Sequence, residues 1–140
     1  MDNINGLVEM ELFRIQIDEK RGEQIIILRE KNGTRTMPIV IGIVEATAIK
    51  MKISGFDPPR PLTHDLLNNT IKELNGNLES IIVERLEDNI FYAKLVIRDY
   101  AGQLKEVDAR PSDSIALALR ANAPIFVRND VLGKLQIQTD

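Results

Sequence analysis

The sequence predicts an α+β fold: a single compact domain with an antiparallel or mixed sheet built from meanders and three main helices. Two patterns point there. Apolar residues alternate along short runs joined by turn residues at Asn32-Gly33, Asp88-Asn89 and Tyr100 to Gly102, as hairpin-linked strands require. Between those runs lie three stretches of helical spacing, at residues 43–53, 63–74 and 112–122. With 140 residues, 44% of them hydrophobic, the chain has the length and the apolar content for one domain with a real core. It reads as one domain over 1–140.

Taken in order, Val8, Met10 and Leu12 alternate and then change phase to Phe13, Ile15 and Ile17, which predicts a strand with a bulge. Ile25 to Leu28 is apolar without a break, so the next strand is expected to be covered on both faces. Pro38 cannot donate to a ladder and places its strand at an edge or a strand end. Ile43, Ala46, Ile49 and Ile53 mark the inner stripe of the first helix, closed by Gly55. Prolines at 58, 59 and 61 hold the chain extended, and Thr63 is the expected cap of a second helix. Leu66, Leu67, Thr70, Ile71 and Leu74 are its expected buried face, and Asn75-Gly76 its stop. A meander over residues 78–109 follows. Ser112 is expected to cap a third helix, apolar almost all round and so destined for the core or a subunit contact. A short strand from Ile125 and a weak terminal element complete the chain.

Composition narrows the chemistry. The absence of cysteine removes disulfides, thiolate metal sites and thiol nucleophiles. One histidine cannot build a multi-histidine metal cage in a single chain. There is no apolar run of membrane-spanning length and no signal-peptide core near Met1, so a cytoplasmic protein with no membrane partner is expected. Net charge is −3, with eight acids and eight bases through Ser54 and thirteen acids against ten beyond it. A nucleic-acid binder usually carries a basic stripe, so any nucleic acid is expected to bind weakly and locally. No Gly-rich phosphate loop, His-Glu-x-x-His helix or Gly-x-Ser-x-Gly elbow occurs.

Two helix starts repeat one arrangement: Arg60-Pro61, Thr63, His64 and Asp65, then Arg110-Pro111, Ser112 and Asp113. A plain account makes Thr63 and Ser112 caps, Asp65 and Asp113 dipole-complementing acids, and Arg110 the salt-bridge partner of its acidic neighbours. The alternative is an anion site: free helix amides, hydroxyls and guanidinium groups hold a phosphate, and His64 is a general acid or base. On that account Asp108 and Asp113 are candidate ligands of Mg²⁺ or Mn²⁺, with Glu45, in the first turn of its helix, a further candidate.

The strings "MPIVIGIVEATAI", "PPRPLTHDLL" and "VDARPSDSIALALRANAPIFV" resemble the signature blocks of the bifunctional nuclease (BFN) domain family of bacteria, archaea and plants. The likeness runs from about Val8 to Val131 and contains every candidate residue named above. It implies a compact α+β domain, a homo-oligomer with a dimer favoured, and RNase and DNase activity of the kind associated with plant members. The additional short helical motif at the C-terminus of some relatives is expected to be lacking here. The resulting expectation is a metal-assisted nuclease of low sequence specificity acting on RNA and DNA. Catalysis would fall to His64, Asp65, Asp108 and Asp113, and substrate binding to Arg60, Thr63, Arg110 and Ser112. The metal would sit on Asp108 and Asp113 with Glu45. The rival expectation is a non-catalytic, regulatory oligomer that binds a small anion or nucleotide at the same helix mouths. A single-site mechanism requires the two Arg-Pro helix starts to meet in space.

Overall fold

The computed structural model describes residues 3–4, 6–18, 20 and 22–138. In chain order the elements are β1 (Asn3–Ile4), β2 (Leu7–Asp18), β3 (Glu23–Glu30), β4 (Thr36–Ile41), α1 (Ile43–Ile53), α2 (Thr63–Glu73), β5 (Asn77–Glu87), β6 (Ile90–Arg98), β7 (Leu104–Ala109), α3 (Pro111–Ala121), β8 (Ile125–Arg128) and α4 (Asn129–Gln138). The strands form one sheet in the order β4-β3-β2-β8-β5-β6-β7, with β1 beside β2. Every pairing is antiparallel except β5 with β8, which is parallel in the register Ile81 to Ile125. The fold is therefore α+β with a mixed sheet, as the alternation predicts, and α4 is a fourth helix where only a weak terminal element was expected.

The phase change in β2 is a bulge: Leu12 pairs with Leu28 and Arg14 with Ile27, leaving Phe13 as the extra residue. β4, with Pro38, is an edge strand. Asp88 and Asn89 both take positive φ, 52° and 63°, and make the two-residue turn between β5 and β6. Asn32-Gly33 does not make such a turn. Residues 31–35 form a longer loop in which Arg35 donates from Nε (2.8 Å) and its second guanidinium nitrogen (3.2 Å) to the Glu30 carboxylate, and from its backbone N–H (2.9 Å). A Cβ on Gly33 would lie 2.9 Å from the Glu30 carboxyl carbon, so a side chain there would have to push that carboxylate aside. The hydrogen bonds from Arg35 hold Glu30 below its ordinary value of 4.5 although burial opposes them. Its contribution is thus complete above that value and is lost as pH falls through the lower, folded value. Glu30→Gln is expected to cost about 1–3 kcal/mol at pH 7. The gap to wild type in urea unfolding should close as pH falls well below 4.5. An equal gap at both ends would show that the ionised pair contributes nothing.

One hydrophobic core joins both ends of the sheet to the helices. Ile26, Leu28, Met37, Ile49, Ile81, Ile115, Leu117 and Leu132 are almost completely buried in it. Each contributes about 1.5–3 kcal/mol by leaving water. α3 lies at the centre, packed between α1 and α2 and against β5 and β6. Its residues Ser114 to Ala118 are all buried, which answers to its nearly uniform apolarity. The sheet curls around it: Ile39 and Ile41 of β4 and Ile90 and Phe91 of β6 line one cleft with Pro111 and Ser112, although four strands separate β4 from β6 in the sheet order.

Two expected helix faces need correction. In α1 the buried residues are Ala46, Ala48 and Ile49, while Ile43 and Ile53 remain over half exposed. In α2 the buried residues are His64 and Asn68, with Ile71 half-buried, while Leu66, Leu67 and Leu74 face solvent. Polar contacts of the first turn of α2 with α3 set the rotation of that helix and override its apolar stripe. No helix of the described residues is long and apolar enough to cross a membrane.

Candidate functional site

Three helices begin alike. α1, α2 and α3 each carry an acid at the third helical position, Glu45, Asp65 and Asp113, and none has a side-chain cap on the preceding residue, Gly42, Leu62 or Arg110. The acid in the first turn complements the positive end of each helix. Thr63 and Ser112 are therefore not caps. Thr63 is the first helical residue of α2, because the proline segment keeps the chain extended through Leu62. Ser112 is the second of α3, because Pro111 occupies the first position, where its missing N–H is no loss.

The two Arg-Pro helix starts meet. His64 Nε2 lies 3.0 Å from Asp113 Oδ1, and Arg110 Nε donates to Asp113 Oδ2 at 2.9 Å. A second guanidinium nitrogen of Arg110 stands 3.5 Å from Glu45 Oε2. One chain of charges thus links the starts of α1, α3 and α2. Burial raises the Asp113 pKa, but the hydrogen bonds from Arg110 and His64 outweigh it and hold the carboxyl below its ordinary value. An ionised carboxylate only accepts, so Nε2 of His64 carries the proton and Nδ1 keeps the lone pair when the ring is neutral. His64 is 7% exposed, whereas the Arg110 side chain is 66% exposed, so the cluster is deep at the histidine and open at the arginine. The Arg110 guanidinium is held more firmly protonated, first by the Asp113 hydrogen bond and then by the charges of Asp113 and Glu45. Ser112 shares the cleft of Glu45 and Arg110, and Thr63 shares the neighbouring groove of His64. A Cβ at Gly42 would lie 2.7 Å from Glu45 Oε1, so the glycine leaves room for that carboxylate over its own helix start.

Asp65 and Asp108 do not join this cluster. Asp65 accepts the Leu62 N–H at 2.9 Å and Arg120 Nε at 2.8 Å, so both of its oxygens are engaged. Burial raises its pKa, and the Leu62 and Arg120 bonds more than offset that. Arg120, absent from the sequence-derived candidates, also donates to the carbonyls of Ala116 and Ala48. Its signal was present, as the one base within an otherwise apolar helix. Asp108 is exposed opposite Lys94 on β7, while its neighbour Ala109 packs on the core. Strand alternation therefore turns Asp108 to the sheet face away from the helices. Arg60 is exposed between two prolines and, among the described residues, makes no hydrogen bond or ion pair.

A hard cation needs several oxygen donors converging on one point. Asp113 has both oxygens engaged and Asp108 faces away. Among the described residues no group of three or more histidine, aspartate or glutamate side chains is placed to hold a metal. The expected Mg²⁺ or Mn²⁺ set of Asp108, Asp113 and Glu45 therefore does not fit this arrangement.

Fold and site together define a small α+β domain whose polar centre lies where three helix starts converge. The chain belongs to the bifunctional nuclease domain family, whose model matches residues 26–140. It is 40% identical over 126 residues to an uncharacterized protein of Mycobacterium tuberculosis, found alike in two strains, covering 90% of this chain and 74% of that protein. It is 22% identical over 118 residues to Bifunctional nuclease 2 of Oryza sativa subsp. japonica, covering 82% of this chain and 36% of that one.

Proposed function

We propose that the protein hydrolyses phosphodiester bonds of RNA and DNA with low sequence preference, at the convergence of the three helix starts. The observation that carries this reading is the 3.0 Å contact between His64 and Asp113, which joins two chemistry-bearing segments 49 residues apart. Asp113 orients the imidazole and stabilises its protonated form, and Nδ1 is the nitrogen left to take a proton from an attacking water and return it to the leaving oxygen. Arg110, open to solvent on one side, and the exposed Arg60 supply positive charge for the phosphate. The hydroxyls of Thr63 and Ser112 are the neutral hydrogen-bonding groups nearest to it in sequence. The dimer that the family resemblance implies is a further part of this reading, to be read by light scattering, and the exposed leucines of α2 offer it an apolar face.

The test is cleavage of labelled single-stranded RNA and DNA by purified protein in Mg²⁺, Mn²⁺ or EDTA, beside His64→Ala. Loss of proton transfer should lower the rate by about 100-fold or more. Equal cutting by both proteins would assign the activity to a contaminant. Loss of cutting in EDTA alone would restore a cation to the reaction.

The rival reading, a regulatory oligomer binding a small anion or nucleotide without catalysis, has its own support. Arg110 is shared between two carboxylates, and the chain as a whole carries −3. It requires a rise in thermal stability with phosphate or nucleotide and no cleavage under any condition.

A further inference from the structure

Three clefts lie around the starts of α1, α2 and α3, and their walls differ in charge. One of about 250 Å³, between α1, the proline segment and α2, carries Lys52, Asp57, Asp65 and Arg120. A second of about 310 Å³, at the mouth of the curled sheet, carries Glu45 and Arg110. The third, of about 560 Å³, has no acid, lysine or arginine on its wall. There Ile43, Val44, Ala48 and Met51 of α1 share the wall with Pro61 and Leu62. His64 belongs to the same wall, and Thr47 and Thr63 add hydroxyls. Val44 is 71% exposed and Ile43 53%, so this apolar surface has no partner within the described chain.

We propose that this groove is a base-binding subsite that takes one unpaired nucleobase beside His64; the inference rests on the nuclease reading above. A phosphate gains little from an uncharged apolar wall, whereas a nucleobase has apolar faces and polar edges. The groove lies in the range of about 300–1,000 Å³ usual for small-ligand sites and offers both kinds of contact. Charge sorts the rest of the substrate: the anionic backbone belongs with Arg110 and Arg60, and the neutral ring with the uncharged wall. His64 connects the two, being hydrogen-bonded to Asp113 on one side and part of the groove wall on the other. All bases have an apolar face, and Met51 adapts its shape, so the subsite selects for an unpaired base and not for a sequence. A base in a duplex would first have to leave its stack, at a cost of a few kcal/mol. The substrate class is therefore single-stranded nucleic acid.

The test fills the groove and reads binding separately from cleavage. Thr47 is exposed on α1 and its hydroxyl donates to the Ile43 carbonyl, so Thr47→Phe occupies the groove without touching the charged chain. Adenosine and uridine 5′-monophosphate are titrated beside ribose 5-phosphate, by calorimetry. The nucleotides should bind at least about tenfold more tightly than the base-free sugar phosphate, and Thr47→Phe should abolish the difference. Wild type should also cut a single strand at least about tenfold faster than the same sequence in a duplex. Equal affinities for all three ligands, or indifference to Thr47→Phe, would overturn the subsite. Cleavage that needs His64 but ignores strandedness and Thr47→Phe keeps the nuclease reading and removes the subsite. Base-dependent binding lost in Thr47→Phe, with no cleavage by any form, keeps the subsite and removes the nuclease.

Discussion

Arg120→Met is expected to destabilise the fold by about 3–5 kcal/mol, the largest single effect on stability among the polar residues. The Arg120 side chain is 5% exposed and its guanidinium ends on three elements: Asp65 at the start of α2, Ala116 in its own helix and Ala48 in α1. Methionine keeps much of the volume but leaves the Asp65 carboxylate without its guanidinium partner and the Ala48 carbonyl without this donor. The penalty comes mainly from that orphaned charge, so Arg120→Met with Asp65→Asn should be less destabilised than Arg120→Met alone. Urea unfolding of the wild type and three variants closes the cycle. Additive effects would show that the two residues act independently and that α2 is positioned by other contacts.

Asp113→Asn is expected to lower the rate by about 100-fold, the loss His64→Ala causes at its smallest. Asparagine has one oxygen where aspartate has two. If it accepts from Arg110, its amide N–H groups face His64 Nε2, and the imidazole must adopt the other tautomer. If it accepts from His64, Arg110 loses its hydrogen bond and swings toward Glu45. Either way the charge that stabilises the protonated imidazole is gone. The same variant has a pH signature. The folded Asp113 carboxyl titrates below its ordinary value of 3.8, so its stabilisation is present above that value and is lost as pH falls through the lower one. Wild type should be more stable than Asp113→Asn at pH 7, and the difference should vanish in acid. A folded variant that cuts at the wild-type rate would remove His64 and Asp113 from the chemistry.

Much of the architecture was legible because it is written in local patterns. The phase change at Phe13 announced its bulge, and Pro38 its edge strand. Asp88-Asn89 made the short turn, since both residues tolerate positive φ. Asn32-Gly33 announced the β3–β4 hairpin, while a side-chain pair, Glu30 with Arg35, closes its longer loop. The face of α2 misled. Its leucines mark the more apolar side, yet His64 and Asp65 in its first turn are tied to α3 and fix which side turns inward.

The candidate site divides along the same line. The residue types at both Arg-Pro helix starts, and the family they belong to, could be read from order along the chain. Which carboxylate serves which partner could not. Asp108, Asp113 and Asp65 look equivalent as letters near helix mouths, but one points away from the helices, one orients a histidine and one holds a buried arginine. Sequence by itself determined the elements, their order and the chemistry available, because propensity, turn geometry and helix-start preferences act over a few residues. Only the tertiary structure decided the pairings, because a hydrogen bond selects on distances of a few tenths of an ångström between groups that the curl of the sheet around α3 brings together.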